Sequence, residues 1–265
     1  MGSEPRPRRD ALRDFSYIEA TIQHRSLAVF LDYDGTLCPI VEDPAQAWLS
    51  ESMREAIAEL THRAAVSIVS GRDRDDVERR VALPALCYVG NHGLDIRCRE
   101  RTFVHPMARE AVPVLDELER RLQARLGGIH GVVFERKRFS FAVHYRGVAQ
   151  DSLPDVSGAV HAELRRFPQL RAQTGESVYD LVPAIPWHKG SAVEWILDAL
   201  GSTNDVGALY LGDDDTDTDA FRALAGRGIS IGVGERAAMQ EADFHLAHID
   251  DVERFLRRLA RAPLT

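Results

Sequence analysis

The chain has 265 residues, 45% apolar and 28% charged, with 41 acidic against 33 basic side chains and a net charge of −8. That excludes wholesale disorder and a fibrous protein, and it does not describe a general nucleic-acid binder. No apolar run approaches the roughly 18 residues of a membrane span, and the polar, Arg-rich residues 1–13 lack the apolar stretch of a secretory signal, so a cytoplasmic protein with no nucleic-acid or membrane partner is expected.

Residues 1–13 read as a flexible arm. The apolar run 27–33, too short for a helix, reads as a buried strand ending at Asp32. A helix follows at 52–63, where Ser52 and Glu55 match a capping box. Residues 64–69 read as a second buried strand, 73–82 as a helix and 87–90 as a third short strand. This alternation is the pattern of a parallel α/β sheet. It resumes with a helix at 189–200, a strand at 208–211, a helix at 217–225, a strand at 229–233 and a last helix at 250–260. The middle differs: a helix at 112–126, two strands between 132 and 146, a helix at 155–167 and a strand at 177–182. The expected organisation is therefore an α/β domain of residues 1–105 and 185–265 with an α+β unit, 106–184, inserted into it. Three cysteines (Cys38, Cys87 and Cys98) without a C-x-x-C pair suggest neither a disulfide framework nor zinc.

The chemistry concentrates at strand ends, where ligands bind in parallel α/β sheets. Asp32-Tyr33-Asp34-Gly35-Thr36 follows the first strand. Two Asp two residues apart can divide the work of nucleophile and acid–base, although Asp and Gly also make ordinary turns. A second cluster, Gly212 to Asp219, carries five carboxylates in seven residues, costly to crowd without a cation. An EF-hand fails there, because the sixth position is Thr218 and the twelfth is Leu224. Mg²⁺ suits such hard oxygen donors. Ser70 ends a strand before a helix, and Lys189 opens a helix. A hydroxyl and a cation so placed can offset the charge of a phosphoryl group. Each taken alone is unremarkable.

In this order and at these positions, the motifs resemble the haloacid dehalogenase phosphatase superfamily. Within it the chain is similar to the trehalose-6-phosphate phosphatases, through Ser70-Gly71-Arg72, Gly90-Asn91-His92-Gly93, Glu135-Arg136-Lys137, His144-Tyr145-Arg146 and the acidic loop running on to Phe221. The similarity spans about residues 27–260. The resemblance implies a Rossmann-like core with an inserted cap. It makes Asp32 the nucleophile, Asp34 the acid and base, and Ser70 and Lys189 the phosphate holders. Mg²⁺ would be bound by Asp32, the Asp34 main-chain carbonyl and Asp213, supported by Asp214 and Asp217. Arg72, Glu135, Lys137 and Asp180 would contact the substrate, a phosphorylated disaccharide, with pairing to an Asp the other role open to Arg72; a monomer is one option, and the sequence does not set the oligomeric state. Departures from the family pattern fall at Asp180, usually Glu, at Val182, usually basic, and at His188, usually Asp, Asn or Ser. They leave the preferred sugar open. The alternatives are a phosphatase for a sucrose- or mannosyl-type phosphate and a catalytically weak sugar-phosphate sensor.

Overall fold

A computed structural model describes residues 9–22, 26–41, 44–175, 177–201, 206–235 and 241–262. The chain divides into two units, Met1–Phe103 with Trp187–Thr265, and Val104–Pro186.

The first unit opens with β1 (Arg9–Asp10), α1 (Phe15–Ile22), β2 (Ser26–Asp32), α2 (Glu51–Leu60), β3 (Ala64–Val69), α3 (Arg74–Val81), β4 (Cys87–Gly90), β5 (Asp95–Cys98) and β6 (Arg101–Val104). The second unit holds α4 (Pro106–Glu110), α5 (Val112–Leu126), β7 (Val133–Arg136), β8 (Phe141–His144), α6 (Leu153–Leu164), β9 (Leu170–Gly175) and β10 (Val178–Pro183). The chain returns to the first unit with α7 (Lys189–Ala199), β11 (Val206–Gly212), α8 (Thr218–Leu224), β12 (Gly228–Val233), β13 (Phe244–Leu246) and α9 (Ile249–Arg261).

The sheet of the first unit runs β1-β13-β12-β11-β2-β3-β4-β5-β6. Pairing is parallel from β1 through β4 and antiparallel between β4 and β5. Successive strands step outward from β2 in one direction and from β11 in the other, so the order reverses between these two. Such a switch point leaves a crevice at the carboxyl ends of the strands. Strand periodicity explains why β2 is apolar throughout. Leu27, Val29 and Leu31 join one core with α1, α2 and α9, while Ala28 and Phe30 join another with α7 and α8.

Several sequence expectations change here. Arg9 and Asp10 pair in register with Phe244 and His245, and Ala11 is buried, so this part of the expected arm belongs to the fold; residues 1–8 lie outside the described residues. The N-cap of α2 is Ser50, whose Oγ accepts from the Met53 N–H at 3.1 Å. Ser52 lies inside the helix, where its hydroxyl donates to Glu253. Cys87 and Cys98 form a disulfide. They face one another because β5, which was not anticipated, pairs Tyr88 with Arg97 and thereby sets the two cysteines opposite. Cys38 is a free, buried thiol.

The second unit has a four-stranded antiparallel sheet in the order β7-β8-β10-β9. One face packs on α5 and α6 through Leu115, Leu118, Leu122, Val156 and Val160 against Phe141, Val143 and Leu181. The opposite face carries Glu135, Lys137, His144, Arg171, Gln173 and Asp180, by the alternation of side chains along a strand.

Candidate active site

β2 delivers Asp32 to the carboxyl edge of the sheet, where the residue is almost wholly buried, at 4% exposure. The chain then turns through Gly35, at φ +83°, where a side chain would have no room: a Cβ would stand 2.2 Å from Asp213 Oδ2. The two acidic loops are thus packed against each other through a glycine. From the neighbouring strand, β11, Asp213 follows Gly212.

Lys189, 3% exposed, is the first residue of α7. His188 in extended conformation precedes it, and His188 Nδ1 accepts from the Ser191 N–H at 3.3 Å, capping the helix. Lys189 Nζ donates to Asp32 Oδ1 at 2.8 Å and to Asp217 Oδ1 at 2.7 Å, and stands 3.9 Å from Asp214. Asp217 is fully buried. Its Oδ1 also accepts from the Tyr210 hydroxyl at 2.6 Å, and its Oδ2 accepts the backbone N–H groups of Asp213 and Asp214 at 3.0 and 3.1 Å. Four donors therefore occupy this carboxylate. Asp214 Oδ1 in turn accepts from the Thr216 hydroxyl and N–H.

Oxygens of Asp32, Asp213 and Asp217 lie within 4.8 Å of one another, a buried donor set able to hold a metal ion. Both oxygens of Asp217 are taken up by N–H and O–H donors that tie the loop together, so Asp32 and Asp213 are better disposed as ligands. Burial, then Asp217, pushes the Asp32 carboxyl well above its ordinary range, against the pull of Lys189. Burial alone would lower the Lys189 ammonium, but Asp217 and Asp32 more than reverse this and raise it. A hard divalent cation beside Asp32 and Asp213 would stabilise the ionised carboxylate that crowding disfavours, so the donor set fits such an ion.

Asp34 points elsewhere. Arg72 grips it with Nε to Oδ2 and Nη2 to Oδ1, both at 2.7 Å, and also reaches Asp76 at 3.3 Å. Of the two roles open to Arg72 in the sequence, the structure shows the pairing with an Asp, the expected acid–base residue. Ser70, buried at the end of β3, accepts from the Arg72 N–H through Oγ at 3.1 Å, and its carbonyl receives the His92 N–H. The Gly90–Gly93 segment therefore braces the Ser70 turn.

The remaining expected contacts lie in the second unit. Lys137 Nζ donates to Asp180 Oδ2 at 3.0 Å, and Glu135 pairs with His144 Nε2 at 2.9 Å. Burial would raise the Glu135 carboxyl, but His144 and Lys137 together hold it low. Tyr210 and Thr36 carry no site role of their own in the sequence reading, and His144 enters it only within the His144-Tyr145-Arg146 motif. Thr36 Oγ1 lies 3.5 Å from Asp213 Oδ1. The placement of Thr36 inside the first motif was the available signal; Tyr210, inside an apolar strand, offered none.

The family model for trehalose-phosphatase matches residues 30–244. The Zea mays protein named trehalose 6-phosphate phosphatase RA3 is 39% identical over 94% of this chain and 74% of its own length. A solved structure of a trehalose-6-phosphate phosphatase related protein superposes with a TM-score of 0.78 at 25% identity, covering 89% of this chain and 97% of that one. A haloacid dehalogenase-like hydrolase from Bacteroides thetaiotaomicron shares the fold, at a TM-score of 0.64 and 15% identity over 89% of this chain and 99% of its own. With the match running from β2 to β13 and a relative this similar over nearly the whole chain, the protein belongs to the trehalose-phosphatase family.

Proposed function

We propose that this protein hydrolyses trehalose 6-phosphate to trehalose and inorganic phosphate, with Mg²⁺ as cofactor and Asp32 as nucleophile. The observation that carries the mechanism is the buried contact of Lys189 with Asp32 beside Asp213, at the switch point of the sheet. No helix among the described residues is long and apolar enough to cross a membrane.

In the first step a carboxylate oxygen of Asp32 attacks phosphorus and the bond from phosphorus to the sugar oxygen breaks. Asp34, entering as the acid, gives its proton to that oxygen, and trehalose leaves. In the second step Asp34, now a carboxylate, takes a proton from water as the water oxygen attacks phosphorus. The aspartyl–phosphate bond breaks, and Asp32 and free phosphate result. Lys189 and Ser70 balance the charge of the phosphoryl oxygens. Asp32, Asp213 and the Asp34 carbonyl would hold Mg²⁺, with Asp214 and Asp217 in support. Bound Mg²⁺ would supply positive charge beside the transferring group. Arg72 keeps Asp34 in one place, and it must yield the proton-transfer oxygen during turnover. Within the second unit, Glu135, Lys137 and Asp180 form the sugar-selecting face, since three polar side chains on one side of a sheet can bond several hydroxyls at once.

The test is phosphate release from trehalose 6-phosphate, sucrose 6-phosphate, glucose 6-phosphate and p-nitrophenyl phosphate, each with Mg²⁺ and with chelator. The expected result is Mg²⁺-dependent release with kcat/KM about 100-fold higher for trehalose 6-phosphate, because polar groups matched to lost hydroxyls are left unpaired. Equal kcat/KM across the three sugar phosphates would overturn the substrate assignment.

A further inference from the structure

The polar face of the second unit's sheet is ordered in rows. Glu135 pairs in register with Ala142, Ala142 with Asp180, and Asp180 with Gln173, so these four residues stand abreast across β7, β8, β10 and β9. At about 4.8 Å between strands the row spans roughly 14 Å. Ala142 keeps its second position low, between two carboxylates. In the adjacent row Arg171 stands opposite Val182, and Lys137 reaches across to Asp180.

The charges on this face pair off unevenly. Lys137 meets Asp180, and Glu135 meets His144. Arg171 has no carboxylate partner among the described residues. With the Gln173 amide turned so that its oxygen faces the guanidinium, that oxygen accepts from Arg171 Nη2 and Nη1 at 3.1 and 3.2 Å. Both side chains are part-exposed. The β9 end of the row therefore presents a preorganised donor group, a guanidinium oriented by an amide, with no countercharge among the described residues to hold it. A neutral, hydroxyl-rich ligand that already engages Glu135 and Asp180 would meet it next.

We infer that Arg171 and Gln173 extend the sugar-binding face onto β9 and select a disaccharide phosphate over a monosaccharide phosphate. This rests on the reading of the second unit as the sugar-selecting one. Arg171 donates to sugar hydroxyls, and Gln173 fixes its guanidinium and offers its own amide N–H groups.

The experiment measures kcat and KM on trehalose 6-phosphate, glucose 6-phosphate and p-nitrophenyl phosphate for the wild type, Arg171→Met, Arg171→Lys, Gln173→Ala and Glu135→Gln. Thermal melting checks the fold of each. Arg171→Met is expected to raise KM for trehalose 6-phosphate about 10-fold or more, as for loss of a charge-assisted hydrogen bond, and to change the other two substrates by less than about twofold. Arg171→Lys should recover part of the loss, and Gln173→Ala should reproduce part of it. Losses that are equal on all three substrates, or absent, while Glu135→Gln remains selective for trehalose 6-phosphate would overturn the role of Arg171. If Glu135→Gln is also unselective, the sugar-selecting reading of the whole unit fails with it. Should Arg171→Met not fold, the Arg171→Lys and Gln173→Ala comparison decides on the same criterion.

Discussion

Replacing Asp217 by alanine tests how the acidic loop is held. The carboxylate is wholly buried and accepts from Lys189, Tyr210 and the N–H groups of Asp213 and Asp214. Its loss strands two backbone donors and a phenol, each worth about 1–3 kcal/mol when buried without a partner. It also removes one of the two close acids facing a buried ammonium. Water entering the space re-pairs some donors, so these costs do not simply add. Breaking a buried ion pair from one side costs about 3–5 kcal/mol, and this is the magnitude expected for the whole change. At about 2–4 °C per kcal/mol for a domain of this size, melting should fall by about 6–20 °C. Asp217→Asn keeps an acceptor oxygen for the two N–H groups but loses the charge, and should fall between alanine and wild type. Circular dichroism melts with phosphate release on the same samples form the assay. An Asp217→Ala protein melting within about 2 °C of wild type would refute the anchoring role, since even the lowest expected cost shifts melting further than this.

Gly35→Ala should cut kcat by about 100-fold or more through displacement of Asp213, since a Cβ there meets the Asp213 carboxylate and φ is +83°; wild-type kcat would contradict the close packing of the two loops. Mg²⁺ should raise the melting temperature of the wild type in a concentration-dependent way, as for any ligand of the folded state, and much less that of Asp213→Asn; equal shifts would place the ion elsewhere. Burial would raise the Asp214 carboxyl, but Lys189 and the Thr216 hydrogen bonds hold it at about 2, below its ordinary 3.8. A depressed carboxylate adds stability that is present above the ordinary value and is lost as pH falls from about 4 toward 2. Between about pH 5 and pH 2 the wild type should therefore lose more stability than Asp214→Asn, and equal losses would contradict the assignment.

The two acidic motifs of the site were legible because each follows an uninterrupted apolar strand. The run 27–33 reads as a buried strand by its length and strand formers, and it delivers Asp32 to a sheet edge; the run before Gly212 does the same for Asp213. What escaped depends on which elements become neighbours. Tyr210 reads as one more apolar strand residue, and only the turn that brings Asp217 back under β11 gives its hydroxyl a carboxylate. An Asp partner for Arg72 was one of two readings, and the choice of Asp34 depends on β2 and β3 lying side by side. β5 is four residues long with two charges in it, too little periodicity to announce a strand, and the Cys87–Cys98 pairing was hidden with it. β9 was missed for a similar reason: polar residues in 170–175 interrupt the apolar pattern, and Arg171 and Gln173 gain a shared face only from the register with β10.

The most direct test of the account is phosphate release from trehalose 6-phosphate by wild type and Asp32→Asn, both with Mg²⁺, at matched concentration and with matching circular dichroism spectra. Asparagine preserves the shape of the side chain and removes the nucleophilic carboxylate. The variant is expected to fold, with kcat at least about 1,000-fold below wild type, as for loss of a covalent nucleophile. A folded Asp32→Asn protein that retains a substantial share of wild-type turnover would contradict it.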